Sequence, residues 1–436
     1  MTEPTPASPR VAAALALVVA VGLAALAVHA PGVQFVDFIR FSERARELWS
    51  GQHLVDRLYP VGYPALLALV APVVGNAVTA GKAISVIAGS GLAFVVARRF
   101  GIGAGAWVLV SHAALLAGST EGTDMTALAL ALGALVVAER PVLAAVFIAG
   151  AVLTRYTALV AVPVVIALSP RRRLTLGLLL ALTAPHWLTA LVTHQSMIPD
   201  QSENIAIAAG APVPLFSIET LRRWPGGFGL ALEAGLHEPV TWVGLLGYGF
   251  ALVRGRKSRR AAAPFVVYGV LHAAALGLAF SNERLALPIT VCAALGVAWL
   301  VPGPWIAGLA AVVAIVNGRL PGENVVEAGR ARAVAILMTG EAAGPVICTS
   351  PWFYRWEGPW VVGGIGLSGL GGGREVTPES LKAEMASTGA DLVALEVLRT
   401  RRQMPALEPL MSGNPPKGWT LVGKPQGWRV WRADPQ

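Results

Sequence analysis

Acidic side chains at the edges of apolar runs are the first residues of this sequence that could do chemistry. Asp37 follows the first apolar run, and Glu121 and Asp124 lie in a short segment between two later runs. A carboxylate can act as a general base that takes a proton from an acceptor hydroxyl. On spacing alone, Asp37 could equally cap a helix, as could Thr123 and Asp124. Glu121 and Asp124 could also orient an acceptor or bind a divalent ion.

Three arginines near the ends of apolar runs could bind an anion. They are Arg57, Arg155 and Arg284. A guanidinium group binds phosphate oxygens through two parallel hydrogen bonds, and its charge would stabilise a phosphate leaving group. Each arginine alone could instead anchor a helix end, with its alkyl stem in lipid and its charge among the headgroups. The three together favour anion binding.

The composition indicates that these side chains belong to an integral membrane protein. Of the 436 residues, 55% are hydrophobic and only 14% are charged, whereas a soluble domain carries about 25% charged residues. About eleven apolar runs approach or reach the length that spans a bilayer. They are 11–30, 80–97, 103–118, 125–138, 141–154, 156–169, 174–193, 239–253, 261–280, 285–301 and 303–317. We expect an all-α polytopic membrane domain over residues 1–317 and a small C-terminal α/β domain over residues 318–436.

The positions of the basic residues predict which side of the membrane each loop faces. The apolar stretch 60–75 is short and interrupted by prolines, so we expect it to be re-entrant or interfacial. The basic turns at 98–99, 171–173 and 254–260 then lie on one side, as the positive-inside rule requires. That side is predicted to be the cytoplasm, and the N-terminus lies there too.

The same assignment places Asp37, the acidic segment, the three arginines and the C-terminal domain on the extracytoplasmic side. The chain is therefore predicted to be a multi-pass protein of the inner or plasma membrane. Its net charge of +9 resides largely in short loops between apolar runs. Because the soluble segments show no basic stripe interleaved with aromatic residues, nucleic acid is excluded as a partner.

Residues 37–49 are predicted to form an amphipathic helix at the membrane surface. Phe38, Phe41 and Leu48 recur at helical spacing, and charged residues occupy the opposite face. We expect the apolar face to lie in lipid, with Asp37 at the start of the helix.

The C-terminal domain combines strands with one well-marked helix. Thr377 and Pro378 are typical of a helix start, and Gly389 is typical of its end. Strands are predicted near 344–350, 391–397, 419–422 and 428–431. A group of aromatic residues could stack on a sugar or form a membrane-interface belt, and the sequence favours neither role. The group is Trp352, Phe353, Tyr354, Trp356 and Trp360.

Histidines and nucleotide motifs give no firm cofactor prediction. His186 lies in an apolar run beside Pro185 and Trp187, which favours a buried, hydrogen-bonded histidine. His194 and His237 lack the spacing of metal ligands. The chain has no phosphate-binding loop or dinucleotide motif in a strand–helix context. A divalent ion at Glu121 and Asp124 is the one cofactor left open.

Three segments resemble the GT-C glycosyltransferases, in particular the branch of protein O-mannosyltransferases and lipid A aminoarabinose transferases. The first is Tyr59-Pro60-Val61-Gly62-Tyr63-Pro64-Ala65-Leu66-Leu67, which follows Asp37 and the amphipathic helix. The second is Leu153-Thr154-Arg155-Tyr156, and the third is Glu283-Arg284-Leu285-Ala286-Leu287-Pro288. Leu285 stands where the family often has tyrosine. The resemblance covers roughly residues 1–317.

The resemblance implies an inverting enzyme that moves a hexose or pentose from a polyprenyl-phosphate carrier to an extracytoplasmic glycan, lipid or protein acceptor. It implies that Asp37 is the general base and that no nucleotide sugar is used. With it, Arg57, Arg155 and Arg284 are expected to contact the donor phosphate, and Tyr59 and Tyr63 to line the lipid–sugar site. The alternatives are a transporter or lipid flippase, which would need ionisable residues near the membrane midplane, and a scaffold that anchors the C-terminal domain.

Overall fold

A computed structural model of the protein describes most of the chain. The described residues are 4–30, 32–52, 60–192, 218–278, 285–300, 305–318, 334, 344–349, 353–367, 376–412 and 416–434. The chain divides into two compact units. The helical unit comprises Met1–His29, Ser50–Leu66 and Gly81–Arg319, and the C-terminal unit comprises Ala30–Trp49, Leu67–Ala80 and Leu320–Gln436. Two early segments therefore join the unit that holds the C-terminal residues.

Helices form most of the described chain before residue 318. They are α1 (Pro9–His29), α2 (Val36–Trp49), α3 (Gly62–Val74), α4 (Ala77–Phe100), α5 (Ile102–Trp107), α6 (His112–Ser119), α7 (Asp124–Val136), α8 (Pro141–Thr154), α9 (Val162–Leu168), α10 (Arg172–Val192), α11 (Ile218–Leu236), α12 (Pro239–Arg254), α13 (Arg256–Leu276), α14 (Leu287–Leu295), α15 (Val297–Leu300) and α16 (Trp305–Asn317). A 3₁₀ helix, Tyr156–Ala161, lies between α8 and α9.

Among the described residues, three helices are long and apolar enough to cross a membrane, namely α1, α4 and α10. The other predicted runs are also helical, but three of them are divided. Run 103–118 holds α5 and α6, run 156–169 holds the 3₁₀ helix and α9, and run 285–301 holds α14 and α15. The predicted helical region followed by a small sheet is confirmed. The predicted count of about eleven spanning helices is not confirmed, because apolar composition alone does not show where a helix breaks.

The stretch 60–75 forms the short helix α3, which has Pro72 inside it. Its 13 residues rise about 20 Å along the axis, which is less than the roughly 30 Å hydrocarbon core. The length of α3 therefore agrees with a segment that does not cross the bilayer.

Helix α11 lies between the predicted runs 174–193 and 239–253, where the sequence predicts no helix. Pro225 stands inside this helix, and two glycines follow it. Proline and glycine normally mark turns, so they conceal the helix from sequence reasoning. Trp224 fixes α11 to α13, because its indole N–H donates to the Ala274 carbonyl at 2.9 Å.

Small residues let helices of the helical unit touch backbone to backbone. A Cβ atom on Gly244 of α12 would overlap the carbonyl of Ala293 in α14, and one on Gly296 would overlap the carbonyl of Gly244. Close approach through small residues is typical of helix packing in membranes. Beside this contact the rings of Tyr248 and Trp299 lie 5.5 Å apart. Helices α12, α14 and α15 thus form one tightly packed group.

The C-terminal unit contains a five-stranded mixed sheet and a separate hairpin. The sheet has the order β4-β1-β5-β7-β6, with β1 parallel to β4 and β5 and β7 antiparallel to β5 and β6. The hairpin pairs β2 with β3. The strands are β1 (Val346–Cys348), β2 (Tyr354–Glu357), β3 (Trp360–Gly363), β4 (Ile365–Gly366), β5 (Leu392–Glu396), β6 (Trp419–Gly423) and β7 (Trp428–Ala433).

Helix α17 (Pro378–Thr388) of the C-terminal unit begins and ends at the predicted signals. The Thr377 hydroxyl accepts the Ser380 N–H at 3.2 Å, and the Ser380 hydroxyl accepts the Thr377 N–H at 2.9 Å. This reciprocal pair is a capping box. Gly389 follows the helix in the left-handed conformation, at φ 67°. Two short helices, α18 (Val397–Gln403) and α19 (Glu408–Met411), follow β5, and a 3₁₀ helix, Pro405–Leu407, lies between them.

Most of the described aromatic residues near the hairpin are core residues. Phe353, Tyr354 and Trp360 are at most 5% exposed, and the ring of Phe353 lies 6.5 Å from that of Trp428. A buried ring can neither stack on a sugar nor stand in a lipid interface, so both predicted roles are wrong for these three. Trp356 is half-buried, and Trp352 lies outside the described residues.

Candidate functional site

An ion pair inside the helical unit joins two of the predicted site residues. Arg155 Nη1 contacts the Asp124 carboxylate and donates to the Thr123 hydroxyl at 2.7 Å. The side chains of Arg155 and Asp124 are 19% and 6% exposed. Charges buried to this degree are stabilised only when they are paired and hydrogen-bonded. The pair therefore fixes the start of α7, where Asp124 lies.

Arg155 occupies a break between two helices. Helix α8 ends at Thr154, and the 3₁₀ helix begins at Tyr156. Arg155 between them is extended, with φ −155° and ψ 124°. Such a break exposes backbone groups and an ionisable side chain inside a helical region, which is tolerated where the break is enclosed by protein or lines a cavity. The predicted Leu-Thr-Arg-Tyr segment is thus a structural discontinuity and not part of a regular helix.

The acidic segment before α7 is enclosed by protein. Every residue from Ser119 to Asp124 is buried, and Glu121 is 0% exposed. The short segment between the two apolar runs is therefore a packed turn. Gly122 within it adopts a positive φ of 154°, and its N–H donates to the hydroxyl oxygen of Tyr63 at 2.9 Å.

Helix α3 packs against both the acidic segment and the helix break. Tyr63 is fully buried and lies close enough to Glu121 and Asp124 to interact with their charges. The neighbouring Gly62 lies against the break, because a Cβ atom on it would be 2.6 Å from the Leu153 carbonyl oxygen. The first turn of α3 thus contacts both the acidic segment and the Leu-Thr-Arg-Tyr segment. The sequence predicts only that these two segments lie on the same side of the membrane.

His272 of α13 is a further member of this site, and the sequence did not predict it. It is 2% exposed and interacts with the charges of Arg155 and Asp124. Its Nε2 lies 3.0 Å from the Leu285 carbonyl oxygen, so Nε2 carries the proton and Nδ1 is an acceptor. Nδ1 has no hydrogen-bond partner among the described residues. The sequence shows His272 only as a lone histidine in an apolar run. Such a pattern does not distinguish a histidine of a functional site from an ordinary core histidine.

We refer to Tyr63, Glu121, Thr123, Asp124, Arg155 and His272 as the polar cluster. Tyr156 and His186 lie beside it on the 3₁₀ helix and α10. The Tyr156 hydroxyl lies 2.8 Å from His186 Nε2, and His186 is 5% exposed. The prediction of a buried, hydrogen-bonded His186 is confirmed. The stacked ring of Trp187, 5.8 Å from that of Tyr156, encloses this side of the break.

Asp37 lies in the C-terminal unit, in the first turn of the predicted amphipathic helix, α2. The helix is confirmed, but much of its apolar face is buried in protein and so does not lie in lipid; Trp49 at its end is 61% exposed. Phe38 and Ala45 are 0% exposed and Phe41 is 4% exposed, because α2 packs within the protein, partly on strand β3. Asp37 is half-buried.

Three of the predicted donor-binding residues, Arg57, Tyr59 and Arg284, lie outside the described residues, as does Glu283. Among the residues that are described, no three His, Cys, Asp or Glu side chains group together as metal ligands do. A divalent ion at Glu121 and Asp124 would need a further donor from elsewhere, such as its own waters or a substrate phosphate.

Comparison with known proteins identifies the fold. No family model matches the sequence, and no curated protein matches it either. The crystal structure of ArnT from Cupriavidus metallidurans bound to undecaprenyl phosphate superimposes with a TM-score of 0.57 at 14% identity, covering 98% of both chains. The apo structure of ArnT gives 0.56 at 15% identity, covering 97% of this chain and 98% of that one.

A lower similarity is to the mycobacterial arabinofuranosyltransferase AftD. Its cryo-EM structure gives a TM-score of 0.45 at 13% identity and covers 100% of this chain but 40% of that one. The two ArnT structures match almost the full length of both proteins, including the helical and the C-terminal units. The chain therefore has the fold of the GT-C glycosyltransferases, as its motifs predict.

Proposed function

We propose that this protein is a membrane glycosyltransferase that moves a sugar from a polyprenyl-phosphate carrier to an acceptor. The observation that carries the proposal is the near full-length fold match to ArnT, which was crystallised with undecaprenyl phosphate. The sequence motifs support it, because Asp37, Tyr63 and Arg155 stand at the family's motif positions.

The polar cluster has the chemistry that a lipid-phosphate donor needs. When the glycosidic bond to the carrier breaks, the phosphate takes the electron pair and gains negative charge. Arg155 can bind that charge, since a guanidinium has five N–H donors and both of its described polar contacts use Nη1. Asp124 would then orient the guanidinium, and Tyr63 would hold the acidic segment in place. Arg57, Tyr59 and Arg284 are proposed as the remaining donor contacts.

Asp37 is proposed as the general base of a single displacement. The acceptor hydroxyl attacks the anomeric carbon, its proton passes to the Asp37 carboxylate, and the carrier phosphate leaves from the opposite face. One displacement inverts the configuration at that carbon. The reaction is proposed to take place on the extracytoplasmic side, with the N-terminus in the cytoplasm, which agrees with the positive-inside distribution of basic turns.

The second candidate function is transport or flipping of a lipid without sugar transfer. One observation favours it, namely that the Arg155–Asp124 pair is buried at a broken helix. Ionisable residues beside discontinuous helices are typical of transporter substrate sites. The two functions differ in a simple way, because sugar transfer proceeds in detergent micelles, whereas lipid flipping needs two leaflets.

The test uses the purified full-length protein in detergent, supplied with polyprenyl-phosphate-linked hexoses and pentoses and with envelope extracts as acceptors. We expect transfer by the wild-type protein and a fall of at least about a hundredfold for Asp37→Asn. Glu139→Gln is the matched control, because Glu139 is 82% exposed in a surface pair with Arg99. Lipid movement in vesicles without transfer from any donor would establish the transporter instead. If Asp37→Asn transferred sugar at the wild-type rate, Asp37 would not be the base.

A further inference from the structure

The outer edge of strand β3 in the C-terminal unit is covered by side chains of α2. The Ser42 hydroxyl accepts the Val361 N–H at 2.8 Å, and Glu43 Oε1 accepts the Gly363 N–H at 2.8 Å. Successive N–H groups of a strand point to opposite edges, so these two residues share the edge that faces away from β2. Two neighbouring residues of one helix thus accept two backbone N–H groups of a strand that is more than three hundred residues distant in sequence.

These contacts are well protected from water. Ser42 and Val361 are both 0% exposed, and the Glu43 side chain is 17% exposed. The other carboxylate oxygen of Glu43 accepts from Arg40 at 3.0 Å, which orients the carboxylate. Burying a backbone N–H group without a hydrogen-bond acceptor destabilises the folded protein. The arrangement therefore allows little rotation or sliding of α2 on the strand.

An ion pair one turn further along α2 adds a third contact with the hairpin. Arg46 pairs with Glu357 of β2, and Glu357 also pairs with Arg355 of the same strand. Ser42, Glu43 and Arg46 lie on one side of the helix, since residues four apart are neighbours on a helix surface. Together the three side chains hold α2 against the hairpin.

Asp37 lies on the same helix, five residues before Ser42, which is about 8 Å along the axis. A rigid helix transmits the position of the contact with β3 to its first turn. We propose that Ser42 and Glu43 are positioning residues of the transferase, which set the position of Asp37 by holding α2 on the edge of β3. The proposal rests on the role of Asp37 as the base.

This arrangement gives the C-terminal unit a specific task in the reaction. A general base must lie within hydrogen-bonding distance of the proton that it takes, and an error of about 1 Å can lower the rate about a hundredfold. The hairpin supplies the fixed surface against which the helix is held. Loosening that surface would displace the base without altering the polar cluster residues of the helical unit.

The test measures amide exchange and transfer on the same full-length variants in detergent. In Ser42→Ala and Glu43→Ala we expect faster hydrogen exchange in the peptide that contains Val361 and Gly363. We also expect kcat for transfer from a lipid-linked sugar to fall about tenfold or more, with KM for the donor unchanged. Glu43→Gln keeps a side-chain oxygen that can accept the Gly363 N–H, and is expected to restore most of kcat.

Two controls separate this proposal from general instability. Glu379→Ala removes the same charge from an exposed position on α17, and is expected to change neither exchange at β3 nor transfer. Ser42→Thr keeps the hydroxyl that accepts the Val361 N–H. If the alanine variants do not fold, Ser42→Thr and Glu43→Gln are measured in their place. Each is expected to show hydrogen exchange at β3 and a kcat near the wild-type values.

Three results would decide against the proposal or its premise. Unchanged exchange in both alanine variants would show that the contacts with β3 do not protect it. Faster exchange with wild-type kcat would show that these contacts do not position the base. Full activity of Asp37→Asn would instead overturn the assignment of the base itself, and this outcome is distinct because it does not depend on the α2 variants.

Discussion

Arg155 and the buried Asp124 form an ion pair that links a helix break to the first residue of α7. The two residues stand in different motif segments of the sequence, and the Thr123 hydroxyl, 32 residues from Arg155 in the chain, shares the same guanidinium nitrogen. Two partners hold the same nitrogen of Arg155, so disruption of the pair tests what the cluster contributes.

Arg155→Met is expected to destabilise the protein by about 3–5 kcal/mol, because it leaves the Asp124 carboxylate buried without its cation. The double variant Asp124→Leu, Arg155→Met is expected to recover much of this loss, since both charges are then absent. Thermal unfolding in detergent measures both. If the double variant were as unstable as the sum of the two single variants, the pair would not be coupled. The double variant is expected to have no transferase activity.

Gly62→Ala is expected to destabilise the protein by about 1–3 kcal/mol through overpacking. The added methyl group would lie 2.6 Å from the Leu153 carbonyl oxygen, and either α3 or the helix break must move. Because Arg155 follows two residues later, transfer should also fall. Gly22→Ala is the matched control in α1, where a Cβ atom meets nothing within 4 Å. An unfolding temperature equal to that of Gly22→Ala would show that the close approach is absent.

Glu238→Ala is expected to loosen the helix that leads into the acidic segment. The buried Glu238 carboxylate accepts the N–H groups of His112 at 2.8 Å and Ala113 at 3.2 Å, at the start of α6. Loss of a side-chain cap costs about 1–2 kcal/mol, and the other end of α6 runs into Thr120 and Glu121. We expect a lower unfolding temperature and faster hydrogen exchange in the peptide that spans 112–119.

Glu233→Ala is the control for that experiment, because Glu233 lies on the exposed side of α11 five residues earlier. It removes the same charge without removing a helix cap. Equal exchange rates in the two variants would contradict the capping role of Glu238.

His272→Phe is expected to lower transfer while the fold is retained. The substitution keeps an aromatic ring but removes the donor to the Leu285 carbonyl, now 3.0 Å from Nε2. Leu285 belongs to the third motif segment, so its backbone should become less ordered. His272→Gln can still donate to that carbonyl and is expected to retain more activity. The comparison is made by kcat and KM for the lipid-linked donor, with His29→Phe on the exposed face of α1 as the control.

The features that the sequence predicts best are set by neighbouring residues. Helix α2 follows from the helical spacing of its apolar residues, and α17 follows from Thr377, Pro378 and Gly389. In these two helices, residues close together in the chain determine the local structure, so no knowledge of tertiary contacts is needed. The GT-C fold is predicted differently, through the resemblance of the three motif segments to a known family.

The features that it misses depend on tertiary contacts. An apolar face looks the same whether it will lie in lipid or in protein, so the burial of α2 on β3 could not be foreseen. The gap between the predicted runs 141–154 and 156–169 coincides with the break at Arg155, but the sequence does not show what the Arg155 side chain contacts. The pairing of Arg155 with Asp124, and the approach of His272, arise only once separate helices pack together.

The cover that α2 provides for β3 also bears on how the C-terminal domain behaves alone. A strand edge with unpaired N–H groups is a template for another strand, and proteins protect such edges to avoid aggregation. A fragment that begins at residue 344 would lack Ser42 and Glu43 and would present Val361 and Gly363 to solvent. We expect such a fragment to self-associate through β3, and a fusion that restores residues 30–49 to remain monomeric. The compact unit that contains β3 therefore does not correspond to a single continuous segment of the chain.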